Sequence, residues 1–119
     1  MKKVYIAHSS VFDFEKELYE PLKKSVEFEF IFPHAKENEL KDSNELIKGC
    51  DFVLAEITYP STGMGIEIGR AEAAGIPIVA IYKKGSGISS SMKFVTNNII
   101  AYENLESDFE KIKTIINNN

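Results

Sequence analysis

The chain has 119 residues, a net charge of −4 at pH 7, and 44% hydrophobic against 27% charged residues. That length supports one hydrophobic core, so residues 1–119 are expected to form a single domain of ordinary globular composition. Basic residues cluster no further than the pairs Lys2-Lys3, Lys23-Lys24 and Lys83-Lys84, which argues against a nucleic-acid polymer as partner, although backbone amides and hydroxyls can still hold one phosphate.

The first β-like run, Val4-Tyr5-Ile6-Ala7, is followed by a predicted helix from about Asp13 to Lys24 with Phe14, Leu18 and Leu22 at helical spacing. Pro21 must kink or restart its last turn. A second strand is expected over Phe28–Phe32, then a short helix over Glu39–Lys48 ending at Gly49. Phe52–Ile57 reads as the third strand. It breaks at Thr58-Tyr59-Pro60, and the small-residue turn Ser61-Thr62-Gly63-Met64-Gly65 leads into a helix over about Gly63–Ala74 closed by Gly75. The continuously apolar Ile78–Tyr82 is the fourth strand, as expected where both faces are covered. A flexible loop at Lys84–Gly87 and one or two helical turns over Ser89–Phe94 precede the fifth strand, Ile99–Tyr102. The last helix is amphipathic, with Leu105, Phe109, Ile112 and Ile116 on one face. This alternation predicts an α/β fold: a doubly wound, flavodoxin- or Rossmann-like five-stranded parallel sheet with helices on both faces, in the order 2-1-3-4-5.

Ligands bind at the carboxyl ends of strands in such sheets. The turn after the third strand therefore attracts attention: glycines let a backbone approach a ligand, a helix start favours an anion, and Glu67 puts a carboxylate beside it. Two readings of Glu67 stand, a site carboxylate and a first-turn Glu that complements the helix dipole. Ser9 and Ser61, at the ends of the first and third strands, can face one ligand, or cap helices. His8 reads as an acid or base, or as a structural histidine. Asp42 reads first as a helix cap, Asp51 as a turn residue, and Ser89-Ser90-Ser91 as a loop running into a cap. Two His and one Cys offer no metal-ligand spacing, so neither a metal nor a cofactor is expected. The GxG at Gly63–Gly65 follows the third strand and lacks the third glycine of a dinucleotide fingerprint. The lone Cys50 fits a reducing compartment. With no secretory h-region and no apolar run of about 18 residues, a cytoplasmic location away from membranes is expected.

Tyr5, then Asp51 to Glu56 and the run Pro-Ser-Thr-Gly-Met-Gly-Ile-Glu-Ile-Gly-Arg-Ala from Pro60 to Ala71, with Ser90-x-Met92 after the fourth strand, resemble the nucleoside 2-deoxyribosyltransferase superfamily. Within it, the likeness is to the 2'-deoxynucleoside 5'-monophosphate N-glycosidases. The resemblance implies that Glu67 is a nucleophile at the anomeric carbon and that Tyr5 stands beside it. It implies that Ser9, Ser61 and Gly63 hold a 5'-phosphate, joined by Ser90, with Met92, from the second subunit of a homodimer. The family's acid/base aspartate corresponds to position 43, which here is Ser43, with Asp42 beside it as the acid. An arginine common after the first strand is replaced by Val11. The expected activity is hydrolysis of the N-glycosidic bond of a (deoxy)nucleoside 5'-monophosphate through two carboxyl groups. The alternatives are a deoxyribosyltransferase and a nucleotide-binding sensor without turnover.

Overall fold

The computed structural model describes residues 1–39 and 41–119. Five parallel strands, β1 (Lys3–Ala7), β2 (Glu29–Ile31), β3 (Phe52–Glu56), β4 (Ile78–Lys83) and β5 (Ile99–Tyr102), pair in the order β2-β1-β3-β4-β5. This is the order expected from the alternation of elements. The register places Tyr5 opposite Val53 and Ala7 opposite Ala55, and sets Glu56 opposite Ile81 at the carboxyl edge.

Alternation along each strand sorts the core into two layers, because successive side chains point to opposite faces. Val4, Ile6, Leu54, Val79 and Ile81 face Leu18, Leu22, Ile112 and Ile116 of the helices α1 (Glu20–Lys23) and α4 (Leu105–Asn117), with the turn before α1. On the other side, Tyr5, Ala7, Val53, Ala55 and Ala80 face Ile47 of α2 (Ser43–Lys48) and Met64, Ile68 and Ala71 of α3 (Thr62–Ala73). Each fully buried Leu or Ile contributes about 1.5–3 kcal/mol, so these layers hold the sheet between its helices. The second layer is built on alanines where β1, β3 and β4 pass under α3, which lets that helix sit close to the strand ends.

Two elements depart from expectation. The segment expected as one helix over Asp13–Lys24 is a π-helical turn, Glu15–Tyr19, that hands over to α1. Pro21 is the cause: it has no N–H for the Glu17 carbonyl, and its ring crowds that carbonyl. The turn therefore widens, with the Glu20 N–H donating to the Glu15 carbonyl, and the α-helix restarts with Pro21 in its first turn. The helix expected over Glu39–Lys48 includes position 40, which lies outside the described residues; α2 itself starts at Ser43 after a 3₁₀ turn at Lys36–Asn38. A second 3₁₀ turn, Ser90–Phe94, follows β4, with the Ser89 Oγ capping it through the Ser91 N–H.

Candidate active site

The connections from β1 and β3 leave the sheet in opposite directions, so a crevice opens where these neighbouring strands end. It is a cleft of about 430 Å³ lined by Ser9, Ser10, Ser61, Gly63 and Glu67, with His8, His34, Ser43, Met64, Ile66 and Arg70. Of the residues singled out in the sequence, Ser9, Ser61, Gly63 and Glu67 thus share one space.

The helix α3 builds one wall. Ser61 is its N-cap: the Oγ accepts from the Met64 N–H at 3.2 Å and the carbonyl from the Gly65 N–H at 3.1 Å. One turn further on, Glu67 turns back toward the sheet, where the Tyr5 hydroxyl of β1 donates to its Oε2. Tyr5 is fully buried, so a rigid strand sets this bond. The Glu67 Oε1 has no hydrogen-bond partner among the described residues. Burial raises the Glu67 pKa above the usual carboxylate range, while the Tyr5 hydroxyl and the Arg70 charge pull it back down. Tyr5 itself is pushed upward, first by burial and then by the Glu67 carboxylate, so its proton stays on the phenol.

The β1 loop forms the floor. His8 is buried, as is Ser9. The imidazole Nδ1 lies 2.7 Å from the Ser9 carbonyl, which can only accept, so Nδ1 carries the hydrogen. Its Nε2 then accepts from the Tyr19 hydroxyl at 2.6 Å, and that hydroxyl accepts from the His34 N–H at 3.3 Å. This chain ties the β1 loop, the π-turn and the segment after β2 together. Burial lowers the His8 pKa to about 4, so the ring is neutral and both nitrogens are committed. Of the two readings of His8, the geometry supports the structural one. The Ser9 Oγ accepts weakly from the Val11 N–H at 3.4 Å.

The opposite rim belongs to α2. Asp42 is its N-cap, accepting from the Asn44 N–H at 2.9 Å, and its Oδ1 lies 2.8 Å from the Arg70 Nη1. The same nitrogen donates to the Ser43 Oγ at 2.8 Å. Ser43 lines the cleft, whereas Asp42 is exposed at its edge. The Asn44 N–H, and then Arg70, lower the Asp42 pKa, which keeps it a carboxylate.

Ser90 and Met92 lie elsewhere. Ser90 is exposed on its 3₁₀ turn, and Met92 is buried in a neighbouring groove of about 310 Å³ with Ile57, Ser61, Met64, Ile68 and Val95. That groove meets the cleft only at Ser61 and Met64. Among the described residues, no three His, Cys, Asp or Glu side chains converge as a metal site needs. A second carboxylate–tyrosine pair stands at the same sheet edge. Glu56, 1% exposed, accepts from the Thr58 N–H at 2.6 Å and from the Tyr102 hydroxyl of β5. Nothing in the sequence signals this pair, the His8–Tyr19 chain or the reach of Arg70 to α2. Each joins segments far apart in the chain.

No family model matches the chain. In sequence it is similar to the 5-hydroxymethyl-dUMP N-hydrolase of Mus musculus, 46% identical over 41 residues, 34% of this chain and 24% of that protein. It is 39% identical over 70 residues to a putative 2'-deoxynucleoside 5'-phosphate N-hydrolase of Syntrophotalea carbinolica, 56% of this chain and 49% of that one. The chain therefore spans about a quarter to about half of the length of the curated relatives it matches. In fold it is similar to a CMP N-glycosidase of Clostridium botulinum, with a TM-score of 0.67 and 24% identity over 94% of this chain and 99% of the other. A conserved protein from Enterococcus faecalis V583 superposes with a TM-score of 0.66 at 18% identity, over 97% of this chain and 99% of the other. The resemblance read from Tyr5 and the Pro60–Ala71 run is thus matched independently: this chain is a sequence relative of nucleotide N-hydrolases and shares its fold with a nucleotide N-glycosidase.

Proposed function

We propose that this chain hydrolyses the N-glycosidic bond of a (deoxy)nucleoside 5'-monophosphate, releasing the free base and the sugar phosphate. One observation carries the reading: Glu67 lines the cleft with one carboxylate oxygen unpartnered among the described residues, while a buried tyrosine hydroxyl holds the other. A carboxylate fixed in this way is an oriented nucleophile for an anomeric carbon. Glu67 attacks C1' as the C1'–N bond breaks and forms a glycosyl ester; water then gives its hydroxyl to C1' and its proton to the departed base, returning the electron pair to Glu67. The names of the sequence relatives, all nucleotide N-hydrolases, support the same chemistry.

Ser9, Ser61 and the start of α3 at Gly63 supply neutral donors for the 5'-phosphate, helped by the helix dipole. Asp42 completes the rim through Arg70 and Ser43. The reading extends to a homodimer in which Ser90 reaches the partner's phosphate and Met92 lines the junction. Its support is the exposure of Ser90 outside its own cleft, next to an apolar groove and the 89% exposed Phe94. The single buried Cys50 fits action in the reducing cytoplasm.

The test is release of free base from a panel of nucleoside monophosphates and nucleosides, with Glu67→Gln as control. Base release by the wild type that Glu67→Gln abolishes in a folded protein supports the proposal. A second free base added to the same assay reveals transfer, through appearance of the exchanged nucleotide. Mixing Glu67→Gln with Ser90→Ala subunits tests the dimer: if Ser90 acts across the interface, mixed dimers place both lesions in one site and leave the other intact.

A further inference from the structure

Glycosidic bond cleavage leaves an electron pair on the departing base, and something in the cleft must receive that charge. Glu67 is committed as nucleophile, and His8 has both ring nitrogens engaged. Asp42 points its Oδ1 at Arg70 and the Asn44 N–H from an exposed rim, leaving Ser43 as the α2 side chain that lines the cleft. The remaining strong electrophile is the Arg70 guanidinium. It lines the cleft one helical turn from Glu67, and its Nη1 is fixed by Asp42 and Ser43, each at 2.8 Å. A guanidinium has five N–H donors. The two on Nη1 are used, and those on Nε and Nη2 have no hydrogen-bond partner among the described residues. The titratable groups around Arg70 are Glu67 on its own helix and Asp42 at the start of α2, with His34 and the neutral His8 across the cleft.

We propose that Arg70, anchored by Asp42 and Ser43, is the catalytic group that receives the departing base, so that the base leaves as an anion rather than by proton transfer from a carboxylic acid. This rests on the glycosidase reading above. The C1'–N bond breaks as the Glu67 Oε1–C1' bond forms, and the electron pair passes into the base. There it is spread onto a carbonyl oxygen next to the glycosidic nitrogen, hydrogen-bonded by the free guanidinium N–H groups. The water that later opens the glycosyl ester gives its hydroxyl to C1' and its proton to the departed base, which balances the reaction without a second acid. Such a group acts on charge that develops only in the transition state, where removing one preorganised donor typically costs about 10²–10³-fold in rate.

The experiment uses three 2'-deoxyuridine 5'-monophosphates, carrying fluorine, hydrogen or methyl at C5, whose bases are progressively poorer anionic leaving groups. Arg70→Gln, Arg70→Lys and Asp42→Asn are compared with wild type, and thermal unfolding confirms folding. The expected result is loss of rate in Arg70→Gln that grows from the fluoro to the methyl substrate, with part of it recovered in Arg70→Lys. Asp42→Asn keeps an oxygen for Arg70 and for the Asn44 N–H, so it should lose less than about tenfold, evenly across the series, against the 10²–10⁴-fold expected for a lost general acid. Equal slowing of all three substrates by Arg70→Gln overturns the proposal. So does a leaving-group-dependent loss in Asp42→Asn, which would restore Asp42 as the acid. Should an Arg70 variant fail to fold, the Asp42→Asn series alone still decides between anion and acid. Base released by wild type from other nucleotides but from none of these three sinks the role of Arg70 and leaves the glycosidase reading intact. No base from any nucleotide removes both.

Discussion

Two glutamates stand near the carboxyl edge of the same sheet, and each accepts from a tyrosine hydroxyl carried by another strand: Glu56, at the end of β3, from Tyr102 of β5, and Glu67, on α3, from Tyr5 of β1. Glu56 has both oxygens occupied, one by Tyr102 and one by the Thr58 N–H, and is shut away from solvent. Glu67 has one oxygen held by Tyr5, and the other has no partner among the described residues in a side chain that lines a cleft. The chemical pair is the same; the difference is one unspent oxygen and a space in front of it. A carboxylate whose acceptors are all satisfied fixes a turn, here the one that carries Tyr59, Pro60 and Ser61 toward α3. A carboxylate with an acceptor left over is available to a substrate.

The sharpest way to break this contrast is Glu67→Gln. It should remove base release by several orders of magnitude while the fold persists, because the proposed nucleophile is lost and not an orientation. Its stability should change with a definite sign. The folded protein raises the Glu67 pKa through burial, so the native state favours the proton, and stability is lost as pH rises through that folded pKa. Gln escapes this loss, so Glu67→Gln should melt higher than wild type at pH 7–8 and show no such gain near pH 4. Full activity in a folded Glu67→Gln protein would falsify the assignment.

Tyr5→Phe should have the next largest effect. It removes the hydrogen bond that holds the Glu67 pKa down, so the acidic limb of the kcat/KM profile, already above the ordinary carboxylate range, should move to higher pH. An unmoved limb would mean that Tyr5 does not poise Glu67. Tyr102→Phe is the matched change at the closed pair. It strips one donor from a buried carboxylate and should cost about 1–3 kcal/mol of stability by chemical denaturation, with no shift of the pH profile. If Tyr102→Phe moves the profile as Tyr5→Phe does, the two glutamates are not functionally distinct.

The smallest effect concerns His8. Its folded pKa is lowered to about 4 from 6.5, mainly by burial, so the unfolded chain takes up a proton first as pH falls. The His8 contribution to stability should be full above pH 6.5 and decline from there toward pH 4, and His8→Gln should lack that part of the slope. Denaturation midpoints at half-unit pH steps measure it.

The sheet was legible because strands covered on both faces are nearly unbroken apolar runs, and Ile78–Tyr82 needs no partner to be recognised. Local caps were legible too: Asp42 does cap α2, and the small-residue turn at Ser61 does start α3, one residue before the predicted Gly63. Asp51, read as a turn residue, accepts from the Lys3 N–H across to β1. Distant pairings were not legible from spacing. Tyr5 meets Glu67 across 62 positions, and only family resemblance brought them together beforehand. The π-turn was half legible, since Pro21 announces a break but not which way the chain opens. Ser90 and Met92 came from a short motif, and the fold keeps both out of their own chain's cleft.

The cap at Ser61 also gives the cleft a voice in hydrogen exchange. Its Oγ and carbonyl satisfy the Met64 and Gly65 amides, leaving those of Thr62 and Gly63 without acceptors among the described residues, as the first amides of a helix usually are. An anion seated there supplies acceptors and stabilises the bound state in proportion to its occupancy. Titrating a nucleotide should therefore slow solvent exchange at Thr62 and Gly63 in step with binding, while amides of β5 keep their own rate, so occupancy can be followed without any bond being broken.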